Sequence, residues 1–124
     1  MKEAIFTIDA PKAIGPYSQA IKASGFIFVS GQLPINPQNE EIISDVRQAT
    51  RQVLTNINNI LKSAGSSIDR AVKITIYLLD MKDFSLVNEV YGEFFHNPYP
   101  ARVCVEVKDL PKKAIIEIDC IALE

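Results

Sequence analysis

Between Asp45 and Ala64 the apolar residues Val46, Ala49, Val53, Leu54, Ile57, Ile60, Leu61 and Ala64 return at intervals of three and four, the repeat that lines one side of a 3.6-residue helix. The spacing predicts an amphipathic helix over 45–64. Ser44 is placed to cap its start by accepting a bond from an orphan backbone N–H, and Gly65 to take the left-handed turn that ends it. The period then changes. From Ala71 to Leu79 apolar Val72, Ile74, Ile76 and Leu78 alternate with Lys73, Thr75 and Tyr77, which predicts a strand with one buried side. Helical spacing resumes at Phe84, Val87, Val90, Tyr91 and Phe94, with Asp83 as the expected cap; such a stripe reads as core.

At the N-terminal end, Ser18 to Ala23 and Phe26 to Ser30 flank Ser24-Gly25, a pair suited to a tight hairpin turn, and Met1 to Ile8 reads as a further edge strand. Residues 34–37 and 98–100 contain prolines between periodic segments and read as loops. The chain closes with two strands, Ala101 to Val107 and Ala114 to Ala122, joined by residues 108–113. The order β-β-β-α-β-α-β-β predicts an α+β fold: a mixed sheet with both helices on one face, in one domain spanning residues 1–124.

Read as a hairpin, the last two strands direct Val103, Val105 and Val107, together with Ile116, Ile118 and Cys120, toward the helices. The other face then carries Arg102, Cys104 and Glu106 beside Ile115, Glu117, Asp119 and Ile121. If Val107 pairs with Ala114, Cys104 faces Glu117, Arg102 faces Asp119, and Arg102 and Glu117 become diagonal neighbours around one thiol. The same pattern also fits a solvated sheet face with surface ion pairs, worth little to stability.

Composition narrows the function. At 124 residues with 48% apolar and 23% charged side chains, the chain fits a globular domain. Its longest apolar runs fall well short of the ~20 residues that cross a bilayer, and no signal-peptide core opens it, so the cytoplasm or an organelle matrix is the expected location, the cytoplasm first, and no membrane partner is expected. A net charge of −2 offers no basic face for phosphates and speaks against nucleic acid. The single histidine, His96, has no second ligand at metal-binding spacing and reads as a surface residue; Cys104 and Cys120, assigned to opposite faces, read as free thiols.

Two turn segments stand out. Gly15-Pro16 presents Tyr17 at a loop-to-strand junction with its hydroxyl free to donate, and Ser30-Gly31 ends a strand where the glycine lets a ligand approach the backbone. Each alone is ordinary turn chemistry.

Taken together, GPYSQA at 15–20, SGQLP at 30–34, QATRQVLTNINNILKSAG at 48–65, VNEVYGEFF at 87–95, and PARVCVEV followed by DLPKKAIIEIDCIA within 100–122 resemble the RidA/YjgF family of enamine/imine deaminases. The loop at Gln38-Asn39-Glu40 lacks the Thr-Gly of many relatives, and Val103 replaces a small hydroxyl residue. The resemblance implies a chorismate-mutase-like fold, a homotrimer with active sites between subunits, no cofactor, and hydrolysis of 2-iminobutanoate and 2-iminopropanoate to 2-oxo acids and ammonia. It further implies that Arg102 holds the substrate carboxylate, Glu117 activates water and returns a proton, and Tyr17 hydrogen-bonds substrate or water. Ser30, Gly31 and Cys104 contact the ligand through their backbone, and Asn88 lines the cleft. Imine hydrolysis needs no acyl intermediate, so a covalent role for the Cys104 thiolate is not expected. The rival expectation is a non-catalytic trimer that binds 2-oxo or short-chain carboxylic acids through Arg102; an endoribonuclease or translation inhibitor, as some relatives are described, fits the acidic charge and lone histidine less well.

Overall fold

A computed structural model describes all 124 residues. Six strands form one mixed sheet: β1 (Glu3–Ile5), β2 (Ala20–Ala23), β3 (Phe26–Gln32), β4 (Ala71–Leu78), β5 (Ala101–Glu106) and β6 (Ile116–Leu123). Helices α1 (Val46–Ser63) and α2 (Phe84–Phe94) cover one face, as the periodicity predicts. The spatial order is β1-β2-β3-β6-β4-β5.

Local chemistry explains each boundary. In the β2–β3 turn Ser24 and Gly25 both take positive φ (52° and 83°), the backbone a two-residue turn needs to match the twist of its strands. Helix α1 is capped by Asp45, which accepts from the Gln48 N–H at 3.0 Å, so the cap is one residue later than Ser44. At the other end Gly65 (φ 84°) closes a paired motif in which Ser66 N–H donates to Leu61 O and Gly65 N–H to Lys62 O, satisfying two orphan carbonyls. Asp83 makes no capping bond. A 3-10 turn at Met81–Asp83 winds straight into α2, and Asp80 caps it by accepting from Lys82 N–H. The N-terminal edge strand is shorter than expected, and Val72 lies exposed at a ladder irregularity between Ala71 and Lys73.

The last two strands differ from the expected hairpin. β5 runs parallel to β4, pairing Ile74 with Arg102 and Ile76 with Cys104, because α2 carries the chain back to the starting end of β4 in a βαβ unit. β6 crosses to the other side of β4 and inserts between β4 and β3, pairing Tyr77 with Glu117 and Val29 with Cys120. The reason lies in the faces. Ile116, Ile118, Cys120 and Ala122 are all buried under the helices, which suits a central strand. On β5 the helix-side residues are Arg102, Cys104 and Glu106, and charges belong at an edge.

The parity of β5 is accordingly the reverse of the expected one: Val103 and Val105 lie on the open face, 42% and 39% exposed. Cys104 and Cys120 share the helix face rather than opposite faces. They stay free thiols because β4 stands between them, roughly 10 Å away by strand spacing, beyond the reach of a disulfide.

Candidate functional site

The expected site residues fall into two clusters. The first lies where β3 and β6 meet the N-terminal loop. The β3–β6 register shifts between Val29 and Gln32, and this irregularity turns Gly31 toward Glu117: a Cβ at position 31 would collide with the Glu117 carboxylate. Ser30 locks the adjoining loop, its backbone N–H donating to Gln19 O at 2.9 Å and its hydroxyl to Ser18 O at 2.6 Å. Tyr17, 52% exposed, stands next to these two residues. Tyr17, Gly31 and Glu117 line a cleft of about 530 Å³, with Lys12 and Lys112 as its cations and Pro11, Ile14, Leu33 and Ile35 as its apolar wall.

Burial, and then the negative charge of Asp119, push the Glu117 carboxyl above the usual range. Asp119 sits two residues along the same face and accepts a 3.0 Å bond from the Tyr77 hydroxyl. A carboxylate with raised proton affinity in a water-accessible cleft is equipped to take a proton from water and give it back.

The second cluster lies at the β5 edge. Arg102 reaches over α2, where Nη1 donates to Asn88 Oδ1 at 2.7 Å and the guanidinium covers the rings of Tyr91 and Phe84. No carboxylate of the chain lies within ion-pair distance of Arg102, which leaves its fork available to an anion. Cys104 shares this face, and burial raises its thiol despite the opposing charge of Arg102, so the group is held as a thiol rather than as a nucleophilic thiolate.

Arg102 and Glu117 therefore do not converge within one chain. They occupy strands on either side of β4 and point to opposite faces of the sheet, contrary to the hairpin reading. His96 is exposed, and no group of three potential metal ligands exists.

Three supporting residues escaped the sequence reading. Gln19, buried, accepts from Thr7 N–H and donates to Thr7 O and Pro11 O, pinning the loop that carries Tyr17. Asn56 donates to Ile35 O and Leu33 O, fixing the cleft wall. Gln32, also buried, donates to Ser30 O. The available signal was Asn56 itself, a polar residue inside the apolar stripe of α1.

No helix is long and apolar enough to cross a membrane. Residues 7–124 match the family model described as endoribonuclease L-PSP. A RutC family protein of Pyrococcus horikoshii is 57% identical over 123 residues, covering 98% of each chain. The chloroplastic Reactive Intermediate Deaminase A of Arabidopsis thaliana is 48% identical over 122 residues, covering 98% of this chain and 65% of that one. Among solved structures, the Rid family protein YyfA of Yersinia pestis superposes with a TM-score of 0.97 at 45% identity over the full length of both chains. With the same mixed sheet, two-helix layer and sequence blocks in common, the chain belongs to the Rid (YjgF/RidA) family.

Proposed function

We propose that the protein is an imine deaminase that hydrolyses 2-iminobutanoate and 2-iminopropanoate, and that each active site forms between two copies of the chain in a homotrimer. The observation that carries this reading is the separation of two complementary half-sites. An arginine fork without an anion lies on one edge, and a proton-accepting carboxylate in an open cleft lies on the opposite face. Neither half suffices for the chemistry alone; a second copy brings Arg102, Asn88 and Cys104 against Tyr17, Ser30, Gly31 and Glu117.

The open face of the sheet favours such assembly. Phe26, Phe28, Val103 and Val105 are all exposed there, and Ile121 lies beside Phe28. These apolar groups flank Lys73, Thr75 and Asp119 on the same face; large apolar side chains exposed on a sheet face are often covered by a partner, and a closed cyclic arrangement covers them in every copy at once. The relative named reactive intermediate deaminase supports the reaction class.

In the proposed mechanism the substrate carboxylate pairs with the Arg102 fork, which fixes the C=N carbon against the Glu117 cleft. Glu117 accepts a proton from the water as its oxygen adds to that carbon and the C=N electron pair moves to the nitrogen, and it delivers the same proton to that nitrogen, leaving a neutral carbinolamine. Glu117 then takes the carbinolamine hydroxyl proton and passes it to the amino nitrogen as the C=O bond forms and the C–N bond breaks, so that ammonia leaves and the carboxylate is regenerated. Tyr17 holds the water or the adduct. Water is the only co-reactant.

The test couples a threonine dehydratase, which releases 2-iminobutanoate, to this protein and follows 2-oxobutanoate. Faster appearance than spontaneous hydrolysis is expected; an unchanged rate with folded protein rejects the reading. Carboxylate binding without ammonia release would instead favour a sensor built on Arg102.

A further inference from the structure

We propose that Phe84 and Tyr91 are positioning residues for Arg102, forming with Asn88 a cradle that holds the guanidinium open toward a substrate carboxylate. This rests on the assignment of Arg102 as the carboxylate-binding group.

The three cradle residues are spaced i, i+4 and i+7 on α2, which places them in one row along the helix face turned to β5. The Arg102 Cζ lies 4.7 Å from the Tyr91 ring centre and 5.5 Å from that of Phe84, within the ~6 Å over which a ring face attracts a cation. Between them Asn88 Oδ1 accepts the 2.7 Å bond from Nη1. The rings take the face of the guanidinium and the amide takes one donor, so the remaining donors stay free for a bidentate partner.

The choice of neutral partners has an electrostatic consequence. A carboxylate at position 88 would order Arg102 equally well but would cancel its charge and compete with the ligand. Rings and an amide oxygen restrain the side chain and leave the charge intact. They also reduce the rotamer freedom lost when the ligand binds. A lysine at 102 has no planar face to lie on these rings.

Tyr91 acts through its ring. Its hydroxyl is buried and has no hydrogen-bond partner, and burial pushes it up to about 12, so it holds its proton and bonds nothing. The ring is fixed by Phe95, with centroids 4.3 Å apart, which makes the platform part of the core.

The experiment compares Phe84→Leu, Tyr91→Leu and Tyr91→Phe with the parent protein. It measures kcat and KM in the dehydratase-coupled assay, 2-oxobutanoate affinity, and the order of the Arg102 Nε–H by nitrogen-15 relaxation. Phe84, only half-buried, tolerates leucine; Phe84→Met, closer in length, is the second variant if folding suffers. The leucine variants are expected to raise KM and the 2-oxobutanoate Kd about 3- to 10-fold, with a smaller change in kcat and a mobile Arg102. Tyr91→Phe is expected to restore parental values. An Arg102 that stays ordered with unchanged Kd in Phe84→Leu overturns the proposal, as does Tyr91→Phe behaving like Tyr91→Leu. Should the protein prove not to turn over imines, the Arg102 relaxation still decides between a cradle and bystander rings, so the two failures are separable.

Discussion

Replacing Gly31 with alanine isolates the geometry of the cleft from its chemistry. Gly31 does not need a positive φ, so alanine is acceptable to the backbone, and the atoms nearest its Cβ all belong to the Glu117 side chain, the carboxylate foremost. That carboxylate is the far end of a flexible side chain and can swing aside, so unfolding free energy is expected to change by less than about 1 kcal/mol. Activity is another matter. A displacement of about 1 Å at a group that must meet water and the imine carbon costs on the order of 100-fold, or ~2.7 kcal/mol of transition-state stabilisation. The expected result in the dehydratase-coupled assay is a Gly31→Ala protein with a nearly parental melting temperature and kcat/KM lowered by about two orders of magnitude. Full activity in Gly31→Ala would refute the claim that the position of Glu117 matters; loss of folding would refute the claim that its side chain yields.

Three further outcomes are expected. Arg102→Ala loses nearly all deaminase activity while Cys104→Ala keeps a substantial part, since the thiol is held protonated; equal loss in both folded variants contradicts this division of labour. The Glu117 carboxyl is raised by burial and then by Asp119, so the acidic limb of kcat/KM lies above the ordinary glutamate value of about 4.3, and removing a negative neighbour in Asp119→Asn moves that limb to lower pH; a limb that stays put shows that Asp119 does not act on Glu117. Leu54→Ala, at a fully buried position of α1, destabilises the protein by about 2–5 kcal/mol in denaturant unfolding, and a loss under 1 kcal/mol contradicts the packed interface between α1 and the sheet.

Much of the fold was legible because period and turn chemistry are local. The stripe from Val46 to Ala64, the alternation through Ile74, Ile76 and Leu78, and Ser24-Gly25 each determine their element without reference to anything distant. Strand order is not local. A short loop between two strands usually signals a hairpin, and residues 107–115 are short enough for one. Here the loop instead passes over the end of β4, its bonds from Val107 N–H to Leu78 O and from Leu79 N–H to Ile115 O extending the ladders on either side of that strand. The clue was present in side-chain burial. Arg102, Cys104 and Glu106 make a poor central strand, whereas Ile116, Ile118 and Cys120 make a good one.

The placement of the site follows from the same strand order. A β5 of hairpin parity would set Arg102 beside Glu117 in one chain, whereas the parallel β5 sets it against Asn88 and the aromatic face of α2. The grouping of Tyr17, Ser30 and Gly31 with Glu117 was likewise beyond local reading, because it depends on the irregular β3–β6 pairing and on Gln19 anchoring a loop 12 residues away.

Complementation between inactive chains tests the shared site most directly. Arg102→Ala and Glu117→Gln chains, each inactive alone, are co-refolded in equal amounts and assayed. In randomly mixed rings an interface receives an intact arginine half and an intact glutamate half about one time in four, so roughly a quarter of the parental activity is expected to return. A mixture as inactive as its components, in particles that have demonstrably exchanged subunits, would contradict a site divided between two copies.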